Sequence, residues 1–235
     1  MPEASLDFGV PILCYILVPL VAYLLGSIPF GFLAARARGI DIRTVGSGNI
    51  GATNAMRVLG KPMGIAVLVL DACKGWFACL AGAWIGAALL SAGQGGLAHA
   101  QDSATAAGPS LERLTVIAGV FAVLGHNYTC WLKFKGGKGI ATTAGVYLAL
   151  APWPLLIALV VFVLAVLLTR YISVGSMAAA VALPVAVWVM IPHQPLLGVV
   201  TTALGALAIY KHKSNLQRLR AGTENRFGQK SESRK

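Results

Sequence analysis

Apolar residues run along almost the whole chain in blocks about as long as a membrane-crossing helix, ~20 residues. Between them lie short polar stretches rich in glycine, arginine and lysine. This pattern predicts helical spans near 10–33, 62–91, 113–132, 139–151, 153–169, 175–191 and 195–210, followed by a basic tail over 211–235. The fourth block is short, and "APWP" at 151–154 either separates two helices or kinks one long one. Lysine and arginine gather on the cytoplasmic side of membrane proteins, and this decides the matter. With seven spans and the N-terminus outside, 17 of the 19 cations fall on one face, leaving Arg113 outside and Lys74 within a span. Merging 139–169 would put Arg170 on the wrong face. The expected fold is therefore an all-α integral membrane protein, a single membrane domain over 1–235, with seven transmembrane helices, the N-terminus outside and the C-terminus cytoplasmic.

Composition agrees. The chain is 57% hydrophobic and 11% charged with a mean hydropathy of +0.75, whereas a soluble domain carries about a quarter charged residues. The opening "MPEASLDFG" is acidic and lacks the basic start of a cleaved signal peptide, so the first apolar block is read as a mature span. Cys14, Cys73, Cys79 and Cys130 lie in or beside apolar segments without a CxxC pair; they are read as packing residues. The connection 92–112 is rich in Gly, Ala and Ser and reads as a flexible loop without chemistry, with His99 a solvated histidine. The last residues of the tail suit anionic lipid headgroups, and no nucleic-acid partner is expected. No internal repeat is evident, which disfavours inverted-repeat transporters.

Three polar, glycine-rich segments share the inside face. The first, "RTVGSGNIGATNAMRVLGK" (43–61), offers Gly46, Gly48 and Gly51 for positive φ and close backbone approach, donors at Ser47, Asn49, Thr53 and Asn54, and Arg57 at helical spacing. Thr53 or Asn54 is the expected cap of the short helix that carries Arg57. Such a turn before a helix N-terminus favours an anion. The second, "FKGGKGIATT" (134–143), sets Gly136, Gly137 and Gly139 around Lys138, with Thr142 just beyond. An ordinary inside loop explains the lysines but not the glycines. It is not a Walker A loop, because Leu132 and Gly139 stand where Gly and Ser or Thr are needed. His126 and Asn127 lie just upstream; a lone histidine there is more often a packing residue than a catalyst. The third, "KHKSNLQRLRAGTENRFG" (211–228), puts His212 and Asn215 on one helix face near Arg218, with Gly222 ending the helix before Glu224. A basic amphipathic tail accounts for its cations but not for "GTEN". "RYISVGSM" (170–177) adds Ser173 and Ser176 in a short inside turn. Within the second span, Asp71 and Lys74 stand at i, i+3; they either neutralise each other or contact a substrate, and both readings stand.

Together "GSGNIGATNAMRVLG", "LGHNYTCWLKFKGGKGIAT" and "KHKSNLQRLRAGTENRFG" resemble the three motifs of the bacterial acyl-phosphate:glycerol-3-phosphate acyltransferases, the PlsY family, and "YLLGSIPFGFLAAR" fits as well. The resemblance runs from about residue 20 to 228, and only the connection 92–112 looks longer than the family's. It implies a seven-helix enzyme of the bacterial cytoplasmic (inner) membrane with its active site on the cytoplasmic face. The enzyme would transfer an acyl chain from acyl phosphate to the sn-1 hydroxyl of glycerol 3-phosphate, giving lysophosphatidic acid and inorganic phosphate in phospholipid biosynthesis. Ser47, Arg57, Lys138, Ser173, His212 and Asn215 are then the expected catalytic residues. Gly46, Gly48, Asn49, Asn54, Gly136, Gly137, Gly139, Thr142 and Glu224 would bind substrate or phosphate, with Asp71, Lys74 and His126 in support. No cofactor and no metal is expected; membrane lipid and the acyl-phosphate-synthesising enzyme are the expected further partners.

The chemistry fits the residues. Fixed cations and backbone amides would neutralise crowded phosphates, bring the reactants together and stabilise the developing oxyanion. A His-x-x-x-x-Asp dyad is excluded, since the fifth residues after the four histidines are Ala104, Trp131, Gly198 and Gln217. A phosphate oxygen of the substrate therefore stands as the expected proton acceptor, with His212 as the rival. The competing function is a transporter of phosphorylated metabolites, which would expose polar groups on both faces rather than one. A headgroup-binding scaffold would not need "SGNIGATN", and metal-using phosphotransferases would need clustered aspartates.

Overall fold

The computed structural model describes residues 9–93 and 110–228. Most of the 92–112 connection, with His99, lies outside the described residues, as do the first eight residues and the last seven. Every regular element among the described residues is helical. In chain order these are α1 (Gly9–Ser27), α2 (Phe30–Arg36), α3 (Ala52–Leu59), α4 (Lys61–Gly93), α5 (Leu111–Asn127), a 3-10 turn at Cys130–Leu132, α6 (Ile140–Leu150), α7 (Pro152–Thr169), α8 (Ile172–Met190), α9 (Pro195–Lys211) and α10 (Lys213–Arg220). Five segments are long and apolar enough to cross a membrane: Ile12–Arg36, Lys61–Ala92, Leu111–Leu132, Pro152–Thr169 and Ile172–Met190. The remaining apolar helices, Ile140–Leu150 and Pro195–Lys211, are shorter.

The helices form two packed groups. In one, α1 lies on α5 and α4, α4 lies on α6 and α5, and α3 covers one end of α4; in the other, α7 packs on α8 and α8 on α9. Small residues set the closeness of the α4–α6 crossing. A β-carbon on Gly75 would strike the Thr142 carbonyl, and one on Gly145 the Ala72 carbonyl. Without a hydrophobic drive between helices in lipid, such backbone approach is what holds them together. The outward residues are apolar: Leu167, Leu168 and Val189 are more than two-thirds exposed. That is the surface expected of helices solvated by acyl chains.

The structure departs from the sequence reading in three places. The block near 10–33 is broken, because Pro29 supplies no N–H and constrains the residue before it. The Ile28 carbonyl freed at the break accepts from Lys74 Nζ at 2.8 Å, and the Ser27 carbonyl accepts from Thr129 Oγ1 at 2.6 Å. Second, Gly51 caps α3 in extended backbone with φ −81°, not the positive φ read for it, so Thr53 and Asn54 lie inside that helix rather than capping it. Third, Ser173 and Ser176 belong to the first two turns of α8, not to a turn. The chain reverses earlier, at Arg170, whose φ is +62°. Lys133 and Phe134 also carry positive φ, +54° and +60°. Outside glycine, such conformations cost of order 1–3 kcal/mol each.

Candidate active site

The site is built where three helices begin. α3 starts after Gly51, α6 after Gly139 and α8 after Tyr171, and none of these N-termini has a side-chain cap. Their first-turn residues (Ala52 and Thr53, Ile140 and Ala141, Ile172 and Ser173) line one cleft of about 790 Å³. Arg57 and Lys138 line it as well. Uncapped first-turn amides carry partial positive charge and have no intrahelical acceptor. Three such ends with two cations make a site for more than one anionic group.

Each motif is folded to present these groups. In the first, the Asn54 amide staples the loop behind it: its Nδ2 donates to the carbonyls of Ile42, Val45 and Asn49, at 3.2, 3.1 and 2.9 Å. Its Oδ1 accepts from the Ser47 N–H at 2.8 Å. Gly46 and Gly48 take φ of +62° and +68° to complete the turn. Asn54 is thus occupied in shaping the loop although it also borders the cleft; Ser47, Thr53 and Arg57 line the cleft beside it, as does Asn49, whose Oδ1 accepts from the Gly51 N–H at 2.8 Å.

In the second motif the chain doubles back on the end of α5. The Gly136 N–H donates to the Asn127 carbonyl and the Gly137 N–H to the His126 carbonyl, at 3.2 and 3.0 Å. A β-carbon on Gly136 would strike that His126 carbonyl, and one on Gly137 the His126 ring, so glycine is required at both. Lys138 then projects into the cleft and donates to Asn215 Oδ1.

The third motif supplies the far wall. Asn215 Nδ2 donates to Glu224 Oε1 at 2.7 Å, Ser173 Oγ donates to the same oxygen at 2.8 Å, and Arg218 Nε donates to Oε2 at 2.7 Å. A chain of contacts therefore runs from Lys138 through Asn215 to Glu224 and on to Ser173, joining the glycine loop before α6 to α10 and α8. His212 sits between α9 and α10, its ring buried, with Nδ1 2.7 Å from the Ala208 carbonyl. A carbonyl only accepts, so Nδ1 carries the proton and Nε2 is left as an acceptor.

Electrostatics follow from this packing. Burial, with Arg218 and Arg57 nearby and only Glu224 opposing, brings Lys138 down to about 8. Burial and the Lys138 charge bring His212 down to about 4, so it is neutral at pH 7. Glu224 would be raised by burial, but the hydrogen bonds from Asn215, Arg218 and Ser173 hold it below the usual carboxylate range. Burial lowers Arg57 as well, against the pull of Glu224, but a guanidinium stays charged at any relevant pH. Lys138 is thus cationic below about pH 8 and loses its charge above it. The expected result is a kcat/KM that falls as pH rises through about 8, the alkaline limb of a rate profile measured at limiting substrate.

Asp71 and His126 lie at the cleft floor, with Lys74 2.8 Å from Asp71 and His126 Nδ1 3.6 Å from it. Gly46, Gly48, Gly136, Gly137, Thr142 and Lys74 stand behind the lining and shape it. Sequence reasoning left two parts out of the site: Arg218, whose partner lies six residues away across Gly222, and an apolar groove of about 550 Å³ that adjoins the cleft. The groove is walled by α6, α7, α8 and α9 and shares Ile140, Phe162 and Ser176 with the cleft. From Ile140 to Tyr147 it runs about 10 Å along α6 at ~1.5 Å per residue. Tyr147 Oη and Thr201 Oγ1 lie 2.6 Å apart within its lining.

A sequence model described as glycerol-3-phosphate acyltransferase matches residues 16–222. The chain belongs to the glycerol-3-phosphate acyltransferase family. It is 45% identical over 207 residues to the glycerol-3-phosphate acyltransferase of Geobacter sulfurreducens, covering 88% of this chain and 94% of the relative. To that of Geobacter metallireducens it is 50% identical over 206 residues, with the same coverage. Among solved structures it resembles PlsY (YgiH), an integral membrane glycerol 3-phosphate acyltransferase, in its glycerol 3-phosphate form, with a TM-score of 0.75 and 36% identity. That match covers 91% of this chain and 95% of the other. The lysophosphatidic acid form of PlsY matches with a TM-score of 0.72 and 35% identity. This acyltransferase is thus an integral membrane protein whose three polar motifs meet in one cleft beside one apolar groove.

Proposed function

We propose that the cleft is the active site and that the acyl donor is acyl phosphate, with glycerol 3-phosphate as acceptor. The observation that carries this reading is the meeting of three uncapped helix N-termini with Arg57 and Lys138, beside an apolar groove. Two phosphates and one acyl chain are the chemical complement of that arrangement. The acyl chain lies in the groove between α6, α7, α8 and α9, and its carbonyl carbon stands near Ile140 and Ser176, where groove and cleft join. The sn-1 hydroxyl attacks that carbon, the carbon–oxygen bond to phosphate breaks, and inorganic phosphate leaves. Amides at the three N-termini, Lys138 and Arg57 neutralise the phosphates and the developing oxyanion.

The hydroxyl proton passes to a phosphate oxygen. A phosphate monoester has its second pKa near 6, whereas His212 is brought down to about 4 and is the weaker base. His212 Nε2 orients the hydroxyl instead. His212→Gln is expected to lower kcat less than tenfold, whereas loss of a general base costs about 10²-fold or more. Single-turnover rates of the variant decide between them.

The same reading gives seven spans, with α6 and α9 crossing as short helices, the N-terminus outside and the site on the cytoplasmic face of the bacterial inner membrane. It treats 1–235 as one membrane domain. The testing experiment supplies purified protein in lipid with palmitoyl phosphate and glycerol 3-phosphate, with acyl-CoA or acyl-carrier protein in parallel. Lysophosphatidic acid and phosphate formed from acyl phosphate alone support the donor assignment; equal product from a thioester overturns it.

A further inference from the structure

The segment between α5 and the glycine loop carries a feature that the reaction does not use. Lys133 and Phe134 both hold positive φ, a conformation that glycine adopts freely and that is a true outlier for a bulky side chain. The turn itself is firmly made: the Phe134 N–H donates to the Thr129 carbonyl at 2.9 Å and the Lys135 N–H to the Leu132 carbonyl at 3.1 Å. Leu132 is buried beneath it, yet Trp131 and Phe134 are each 63% exposed, and Lys133 and Lys135 are exposed beside them. Glycine at 133 and 134 would make the same reversal without strain. The side chains must therefore act on something outside the chain.

Their position and chemistry identify it. Trp131 and Leu132 close the apolar segment Leu111–Leu132, so the hook lies where a membrane span ends. Two exposed aromatic rings, one of them flanked by two lysines, match the boundary of an anionic bilayer, where rings sit at headgroup depth and ammonium groups meet lipid phosphates. We infer that Trp131, Lys133, Phe134 and Lys135 form a strained hook that seats the glycine loop in the headgroup layer by binding anionic phospholipid of the surrounding bilayer. Gly136 and Gly137 follow the hook directly and are tied to the end of α5. Its depth is then the depth at which Lys138 meets a membrane-borne donor.

The test reconstitutes the full chain in vesicles of phosphatidylcholine alone and of an equimolar mixture with phosphatidylglycerol. Trp131 fluorescence, taken as wild type minus Trp131→Phe, is expected to be quenched by lipid brominated just below the glycerol backbone and shielded from aqueous iodide. This arm reads the hook without any assay of acyl transfer, so a wrong donor assignment leaves it intact. Lys133→Ala/Lys135→Ala is expected to abolish the rate gain that phosphatidylglycerol gives, each lysine accounting for about fivefold in surface attraction. Phe134→Gly is expected to raise Tm by relieving strain while lowering the rate several-fold in the mixed vesicles. Quenching of Trp131 by iodide and not by brominated lipid would overturn the inference and point to a protein partner. A rate loss equal in both vesicle types, or Phe134→Gly with full rate in the mixed vesicles, would also sink it.

Discussion

Lys138→Met is expected to lower kcat/KM for acyl transfer by about 10³-fold while leaving the fold intact. Methionine keeps a flexible unbranched stem one atom shorter and removes the charge together with the N–H donors that reach Asn215. What is lost is a cation fixed between two glycines in a cleft walled by helix N-termini, where a single preorganised donor is worth about 10²–10³ in rate. Stability moves the other way. The native environment holds Lys138 at about 8, below the ordinary value of 10.5, so burying the ammonium costs free energy at neutral pH. A neutral side chain avoids that cost, and Tm is expected to hold or rise. Lys138→Arg does not restore the rate. A guanidinium has five donors in a planar fork, and a site shaped for a point charge on Asn215 leaves some of them unpaired. Steady-state kinetics with each substrate varied, beside thermal unfolding in detergent, separates the two effects. A Met variant with near-normal kcat/KM would remove Lys138 from the reaction.

How far the sequence discloses this site depends on the distance over which its parts cooperate. Part of the glycine pattern is legible because φ is local: Gly46 and Gly48 adopt the positive φ read from their motif, and Gly222 has it where the last helix ends, but Gly51 stands at −81° because it is the residue from which α3 starts. That Arg57 and Lys138 face one cleft follows from motif order and sidedness, which charge counting supplies. What spans elements is not legible. Asn54 reads as a cap or ligand in one dimension, but its amide is consumed by three carbonyls of the preceding loop, an arrangement that exists only once the loop has closed. Ser173 reads as a turn residue because "RYISVGSM" looks polar, yet Arg170 reverses the chain early enough for α8 to begin at Ile172. The apolar groove is invisible, since residues such as Phe162 and Gly205 are those any span would carry. The break at Pro29 could have been read from proline alone. Its consequence could not, because the partner of the freed carbonyl is Lys74, 46 residues on.

Glu224 is the second large effect, and its two substitutions separate position from charge. Glu224→Ala leaves the donors of Ser173 and Asn215 buried without an acceptor and releases Arg218. Each orphaned polar group costs about 1–3 kcal/mol. Asn215 then no longer holds Lys138, so kcat is expected to fall about 10²-fold together with Tm. Glu224→Gln retains one carbonyl oxygen for Ser173 and Asn215 but cannot accept from Arg218 as an anion. Its fold is expected to survive, with a smaller loss concentrated in KM for the phosphate substrates, because Arg218 unpaired from Glu224 lowers Lys138 further. The sign of the pH effect is fixed as well. The native carboxyl is held below its ordinary 4.5, so the carboxylate stabilises the fold above that value and the contribution is lost as pH falls through the lower native one. Unfolding followed from pH 7 down to acid should show this loss in the wild type and not in Glu224→Gln. If the two proteins lose stability in parallel on acidification, the carboxylate is not what joins α8 to α10. The chain of contacts from Ser173 to Lys138 would then need another anchor.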